Sequence, residues 1–509
     1  MRIHARWFCA ALCVLLTACT LPSRVGLVPD YALAPAHYGA LADYAGRIRG
    51  HLDAGESAHW LLDRNKLAFD ARLALADAAA VSLDVQYFIW EDDASGHLFA
   101  SHVLAAADRG VKVRLLIDDF AIASQRGDIV RLDAHPNIEV RTFNPWKTRG
   151  RRYAAAAEFV VRPLTLNRRM HNKTVIADNA FAIVGGRNIG NRYFGIYAPF
   201  VQNDLDVLAA GPVVASVADS FDQYWNSEHT FPVALFARDE RPRVPVDDTR
   251  RFFAAAIDAE SERLRSFPAA TASWGEFFER LVDTAARGRS RLLVDSPDFR
   301  NRAAPRLYAD LKALVASARS EVLISSPYLI PDAGFRELLR QVAARGVRVA
   351  VVTNSLATNN HVIAHTGYQH WRRDILAAGV ELYELRADAE ALAEYVTPPV
   401  TPAALGLHTK AIVVDRQKAF IGSPNVDPRS LEVNTEIGVL TEGPELAERL
   451  ADLIRRDMEP ANAWRVTVDG EGWLKWTNGE RELSRQPAKG FGQRLIEFLL
   501  NLLPLKNQA

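Results

Sequence analysis

The sequence predicts an α/β protein of two pseudo-symmetric halves, each a mixed β-sheet flanked by helices, with the functional site where the halves meet. Three observations predict it. A chain of 509 residues exceeds what one ordinary core accommodates. A strand, helix, strand pattern occurs once in each half. Matching landmarks recur at a nearly constant offset, 236 residues between "RGVKV" at Arg109 and "RGVRV" at Arg345, and 237 between His171 and His408. Two copies at that period mean a duplicated domain, with few net insertions between the landmarks.

In chain order, residues 1–19 read as an export segment. Arg2 and Arg6 precede the apolar run "WFCAALCVLL", which is too short for a confident span, and "LTAC" resembles the lipobox of bacterial lipoproteins. Cys19 is the expected lipid attachment point. Cys9, Cys13 and Cys19 all fall in this segment, so the exported body has no internal disulfide to rely on. Residues 20–60, with scattered Pro and Gly, are expected to be a tether. Residues 61–235 form the first half: "SLDVQYFIW" as a buried strand, "GHLFASHVLAAADRG" as a helix stopped at Gly110, and "VKVRLLIDD" as a strand parallel to the first. The charged, Pro-interrupted 236–289 is the expected connection. Residues 290–470 repeat the pattern with "SEVLISSPYLI", "GFRELLRQVAARG" and "VRVAVVTNS". Residues 485–509 carry an apolar helix, shorter than the ~20 residues a bilayer requires, suited to lying on a membrane surface or packing on the body.

Lys plus Arg equals Asp plus Glu at 61 each, so no overall basic field marks a nucleic acid partner. The chemistry lies in the doubled stretch "MHNKTVIADNAFAIVGGRN" from Met170 and "LHTKAIVVDRQKAFIGSPN" from Leu407. One such match is weak evidence; two in register within a duplication are not a chance event. Alternation along a strand sends His171 and Lys173 into the same space, and likewise His408 and Lys410. An imidazole beside an ammonium suits a phosphate. Breaking a phosphodiester covalently requires one group to attack phosphorus and a second to protonate the departing alkoxide, and the duplication supplies two histidines. Lys173, Lys410, Asn188 and Asn425 are then expected to hold the non-bridging oxygens. The scheme needs no metal and no cofactor.

Each imidazole also needs a carboxylate behind it. Asp178 and Asp415 stand five residues past the lysines and read as structural ends of the motif strands. Aligning "DLDVLAAGP" with "EIGVLTEGP" equates Asp204 with Glu436, one in each copy, as the orienting pair for His171 and His408. The acidic pair of "LLIDD" suits either a ligand crevice or turn capping. His361, His365 and Tyr368 are candidates to line an acceptor site.

The paired motifs, from about Asp84 to Leu440, resemble the phospholipase D superfamily. "LDVQYFIWEDDASG", "GRNIGNRYFG" and "NVDPRSLEVNTEIGV", with the lipobox-like start and the apolar tail, are most similar to bacterial cardiolipin synthases of the C type. The resemblance implies a phosphohistidine intermediate and site residues His171, Lys173, Asp178, His408, Lys410 and Asp415. In this reading Ser423 is a phosphate donor, and Gly186, at the same place in the first copy, has no hydroxyl to match it. It further implies phospholipid substrates: phosphatidylglycerol, with phosphatidylethanolamine, a second phosphatidylglycerol or cardiolipin as alternatives. The expected setting is a bacterial membrane surface, with the chain lipid-anchored, facing the periplasm or exterior, and monomeric because both half-sites lie in one chain. A phospholipase D that hydrolyses or exchanges headgroups, or an exported nuclease, would use the same histidines.

Overall fold

The computed structural model describes residues 21–120, 128–147, 158, 163–236, 244–269, 273–298 and 306–501. The export segment and Cys19 lie outside them. The first half contributes β1 (Glu56–Leu62), β2 (Ser82–Tyr87), β3 (Lys112–Asp118), β4 (Ile138–Phe143), β5 (Thr174–Ala177), β6 (Phe181–Gly185), β7 (Val201–Asn203), β8 (Asp206–Ala210) and β9 (Thr230–Pro232). The second contributes β10 (Ala286–Val294), β11 (Glu321–Ser325), β12 (Arg348–Asn354), β13 (Glu381–Leu385), β14 (Leu405–Leu407), β15 (Ala411–Val414), β16 (Lys418–Gly422), β17 (Ile437–Glu442), β18 (Ala463–Val468), β19 (Leu474–Thr477) and β20 (Glu482–Leu483).

The two strand, helix, strand units form as the pattern predicts. β2 pairs parallel with β3 across the helix Ala94–Asp108, and β11 pairs parallel with β12 across Ala333–Ala344. Asp93 and Asp332 cap those helices by accepting from the backbone N–H of Gly96 and Phe335, which satisfies donors the first turn leaves free. β4 and β13 extend the parallel trios, and β5, β6, β8 and their counterparts β15, β16, β17 add antiparallel strands on the other side. β8 pairs with β1, β17 with β10, and β1 with β10, all antiparallel. The halves therefore share a single 18-stranded sheet, with β1 and β10 at its middle.

Side chains alternate across this sheet. In β6, Phe181 and Ile183 enter a core of the first half, whereas Ala182 and Val184 enter a core common to both halves. In β16, Phe420 joins the second half's own core while Ala419 and Ile421 join the common one. The helices Pro212–Trp225 and Pro444–Met458 supply Phe221, Trp225, Leu446 and Leu450 to that common core. The interface between the halves is thus interior, not a surface contact.

Two segments differ from expectation. Residues 21–60 are not a free tether. Ala40–Arg49 is a helix burying Leu41, Ala45 and Ile48 at helical spacing, and Glu56 already belongs to β1. Ahead of it, Arg24 donates to the Thr230 carbonyl at 2.6 Å, and the Ala32 N–H donates to Asp222 at 2.8 Å. The connection 236–289 is likewise packed: Phe253, Phe277 and Phe278 enter the first half's core, and β10 starts at Ala286, before the expected start of the second half.

Candidate active site

The motif strands end in tight turns. Asp178 and Asp415 both have φ of 55°, and each carboxylate gathers the amides that open the neighbouring strand. Asp178 accepts from the N–H groups of Ala80, Val81 and Ser82; Asp415 accepts from those of Arg319, Ser320 and Glu321. At this end of β5 and β15 they are structural clamps. The motif histidines and lysines stand at the opposite ends.

His171 and Lys173 precede β5, and His408 and Lys410 precede β15, on extended backbone held by the other half. The His171 N–H donates to the Thr435 carbonyl at 2.9 Å, and the His408 N–H donates to the Asn203 carbonyl at 2.6 Å. β7, which ends at Asn203, pairs parallel with β14, which ends at Leu407. Thr435 is followed by Glu436 and Asn203 by Asp204, so these exchanges fix the carboxylate partners. His171 Nδ1 lies 2.8 Å from Glu436, and His408 Nδ1 lies 2.5 Å from Asp204. The pairs are crossed. Aligning the repeats finds both carboxylates but assigns each to the histidine of its own copy, and the structure corrects this: each half orients the other's imidazole.

With Nδ1 committed to a carboxylate, Nε2 of each ring is left for the cleft that both histidines line. Edge contacts fix the ring planes, Phe88 on His171 at 5.1 Å and Tyr193 on His408 at 5.3 Å between centroids. Both aromatics lie in stretches that carry the resemblance, Phe88 in "LDVQYFIWEDDASG" and Tyr193 in "GRNIGNRYFG", but nothing local marks them as the rings that pack on the histidines. Beneath the rings, Lys173 donates to the His171 carbonyl, and Lys410 donates to that of His408 at 2.5 Å. Lys410 Nζ is also 3.0 Å from His408 Nδ1, a contact without a counterpart between Lys173 and His171.

Burial dominates the electrostatics. It pushes His171 down to about 4 against the pull of Glu436, and His408 down to about 3 against that of Asp204, and the neighbouring lysines add to both depressions. Burial also lowers Lys173 to about 7 and Lys410 to about 8. Asp204 and Glu436 lie below the usual carboxylate range because the nearby histidines and lysines outweigh their burial. These shifts favour neutral imidazoles and ionised carboxylates and make the lysine ammoniums easier to discharge.

Ser423 is not aimed at a phosphate. Its hydroxyl donates to Glu436 and accepts from the Ile437 N–H at 2.9 Å, buttressing the carboxylate behind His171. The equivalent Gly186 has a steric reason, since a Cβ there would stand 2.3 Å from an Asp204 oxygen. Glu436 with serine and Asp204 with glycine are alternative fillings of the same space. Asn188 and Asn425 both line the cleft; Asn188 accepts from the Ile89 N–H at 3.1 Å and donates to Tyr193 at 3.1 Å.

The acidic pair ending β3 holds backbone. Asp118 accepts from the Met170 N–H at 2.9 Å and from Arg169 at 3.2 Å, setting the residue before His171, while Asp119 accepts from the Trp146 N–H at 2.7 Å. Of the acceptor-site candidates, His361 lines the cleft. His365 and Tyr368 are buried behind it, where the Tyr368 hydroxyl donates to Glu384 at 2.8 Å and His365 lies 3.0 Å from Arg372. The cleft encloses about 680 Å³, with Arg169, Arg192 and Arg429 among its lining residues. Arg429 donates to Asn167 of the other half at 2.8 Å.

A two-half sheet bearing paired His–Lys motifs over one cleft is the phospholipase D class of architecture. The comparisons agree. The family described as "Cardiolipin synthase, PLD-like domain" matches residues 73–225 and 311–458, one segment in each half, and the chain belongs to that family. It is 38 % identical to Cardiolipin synthase C of Escherichia coli, over 89 % of this chain and 96 % of that one. An uncharacterized protein of Helicobacter pylori is 31 % identical over 91 % of each chain. Among solved structures, phosphatidylserine synthase from Haemophilus influenzae shares the fold, with a TM-score of 0.55 and 13 % identity, covering 90 % of this chain and 97 % of that one.

Proposed function

We propose that the protein is a phosphatidyltransferase that makes cardiolipin from phosphatidylglycerol and a second phospholipid through a phosphatidyl-histidine intermediate. The observation that carries this is the pair of cleft-lining imidazoles, each backed by a carboxylate of the opposite half. His171 is the nucleophile. Its Nδ1 hydrogen-bonds Glu436 with no lysine Nζ in contact, unlike that of His408, which favours the tautomer with the lone pair on Nε2. That lone pair attacks phosphorus, the phosphorus–oxygen bond to the leaving headgroup breaks, and His408 Nε2 gives the departing oxygen its proton.

His408 can hold that proton because the bound phosphodiester offsets the burial and the cations of Lys410 and Lys173 that depress it, while Asp204 stabilises the imidazolium. Lys173 and Lys410, with Asn188 and Asn425, hold the non-bridging oxygens. In the second step His408 takes the proton of an acceptor hydroxyl, the new phosphorus–oxygen bond forms, and the phosphorus–nitrogen bond to His171 breaks. An acceptor alcohol that is itself a phosphatidylglycerol gives cardiolipin. Attachment at Cys19 to a bacterial membrane, facing the periplasm, completes the reading.

The test is expression in a cardiolipin-deficient bacterial host, with lipids read by mass spectrometry. New cardiolipin that disappears with His171→Ala and with His408→Ala is expected. Phosphatidic acid in its place would make water the acceptor and the protein a hydrolase. Activity surviving both substitutions would remove the mechanism.

A further inference from the structure

The last described helix, Phe491–Asn501, is mounted inside out. Gln493, Glu497 and Asn501, four residues apart, face the protein. Gln493 donates to the Leu356 carbonyl at 2.6 Å, Glu497 accepts from Gln486 at 2.7 Å, and Asn501 accepts from Gln369 at 2.6 Å. The apolar side chains face outward: Phe491 is 81 % exposed and Phe498 59 %, with Leu495, Ile496 and Leu499 beside them. Burying the polar stripe and exposing the apolar one reverses the usual economy of a surface helix, and an exposed apolar face of this kind calls for an occupant.

Charge and position indicate which occupant. From Arg485 to Asn501 the only acid is Glu497, and it is buried, whereas Arg485 and Lys489 are exposed. The segment that leads into the exposed apolar face therefore carries cations and no exposed acid. The helix packs on Val362–Gln369, whose Ile363, exposed, and Ala364 line the cleft together with His361. The attachment is specific: Gln486, which donates to Glu497, also lies 3.1 Å from His365 and accepts from Arg372 at 2.8 Å. The inside-out helix is thus tied through a buried polar network to a wall of the active-site cleft.

We propose that the helix Phe491–Asn501 is an interfacial docking element that lies in the headgroup region of an anionic bilayer and holds the cleft mouth against the membrane. This rests on the phospholipid-substrate reading, because a two-chain donor can reach His171 only from a bilayer. Among the described residues no helix is long and apolar enough to cross a membrane, so the element lies on the surface.

The experiment uses the full-length protein carrying Cys19→Ser, which removes the expected lipid attachment, and co-sedimentation with phosphatidylglycerol vesicles or phosphatidylcholine vesicles. Binding to the anionic vesicles that weakens with salt is expected. Leu495→Asp with Phe498→Asp should weaken it at least about tenfold, and Lys489→Glu should weaken it less while flattening the salt dependence. Both substitution sites are on the outer face, and circular dichroism should be unchanged. Equal binding by the double variant, or no binding by the parent, overturns the proposal. Vesicle binding is read without turnover, so failure of the proposed chemistry leaves this result standing by itself. If turnover is present, the double variant should lose activity toward vesicle substrate at least about tenfold and keep that toward a dispersed short-chain phosphatidylglycerol. Loss of both would assign the helix to support of the cleft and overturn docking.

Discussion

Glu436→Gln keeps the shape of the side chain and removes the charge behind His171. In the proposed first step, positive charge grows on the imidazole whose Nδ1 lies 2.8 Å from the carboxylate. With charge centres about 4 Å apart and an effective dielectric near 20, the interaction is worth about 4 kcal/mol. At about 1.4 kcal/mol per factor of ten, the substitution should slow formation of the intermediate by about 10³. A phosphatidyl ester of p-nitrophenol isolates that step, because this leaving group departs without an acid. Stopped-flow absorbance should show the nitrophenolate burst slowed about 10³-fold by Glu436→Gln and nearly unchanged by Asp204→Asn, which acts on His408. Steady-state transfer to an alcohol should fall in both, since the second step requires His408 as base. A normal burst in Glu436→Gln, or a burst lost only in Asp204→Asn, would refute either the crossed pairing or the nucleophilic role of His171.

Gly186→Ser should displace Asp204, given the 2.3 Å approach of a Cβ, and lower steady-state turnover at least about 100-fold with the fold intact by circular dichroism. Ser423→Gly removes one hydrogen bond to Glu436 and should cost only about three- to tenfold in the same assay. Asp178→Ala strands three amides at the start of β2 and should destabilise the protein by about 2–4 kcal/mol, seen as a lowered thermal midpoint. Lys173, held down to about 7 by burial, should give kcat/KM an alkaline limb near that pH as its ammonium is lost. Its folded value lies below its unfolded one, so the unfolded chain binds more protons between about 7 and 10.4, and this group adds stability as pH rises across that window.

The parts of the fold that local pattern controls were legible in the sequence. Period-two apolar runs and a helix closed by Gly110 give β2, the helix and β3, and the repeat transfers the assignment to β11 and β12. The helix at Ala40–Arg49 is harder to read although Leu41, Ala45 and Ile48 are correctly spaced, because the Pro- and Gly-bearing residues around it dominate the composition. In the site, the repeat alignment reached Asp204 and Glu436 but not the crossing. That depends on pairing between segments more than 200 residues apart, β7 with β14 and Met170 with Thr435, which no local signal records. The role of Ser423 is hidden for a related reason: its hydroxyl's direction is set by Glu436, thirteen residues on, and not by the motif that contains it.

The β1–β10 pairing gives the site a kinetic order. Four residue pairs of main-chain ladder, with a core common to both halves beneath, tie the half that carries His171 to the half that carries His408. Spreading the halves like a clamshell would break that ladder and expose the common core. On the proposed chemistry, donor and acceptor queue at one mouth: the first headgroup must leave before the second hydroxyl arrives. The phosphatidyl group waits on His171 in the interval, and water has the same interval in which to compete.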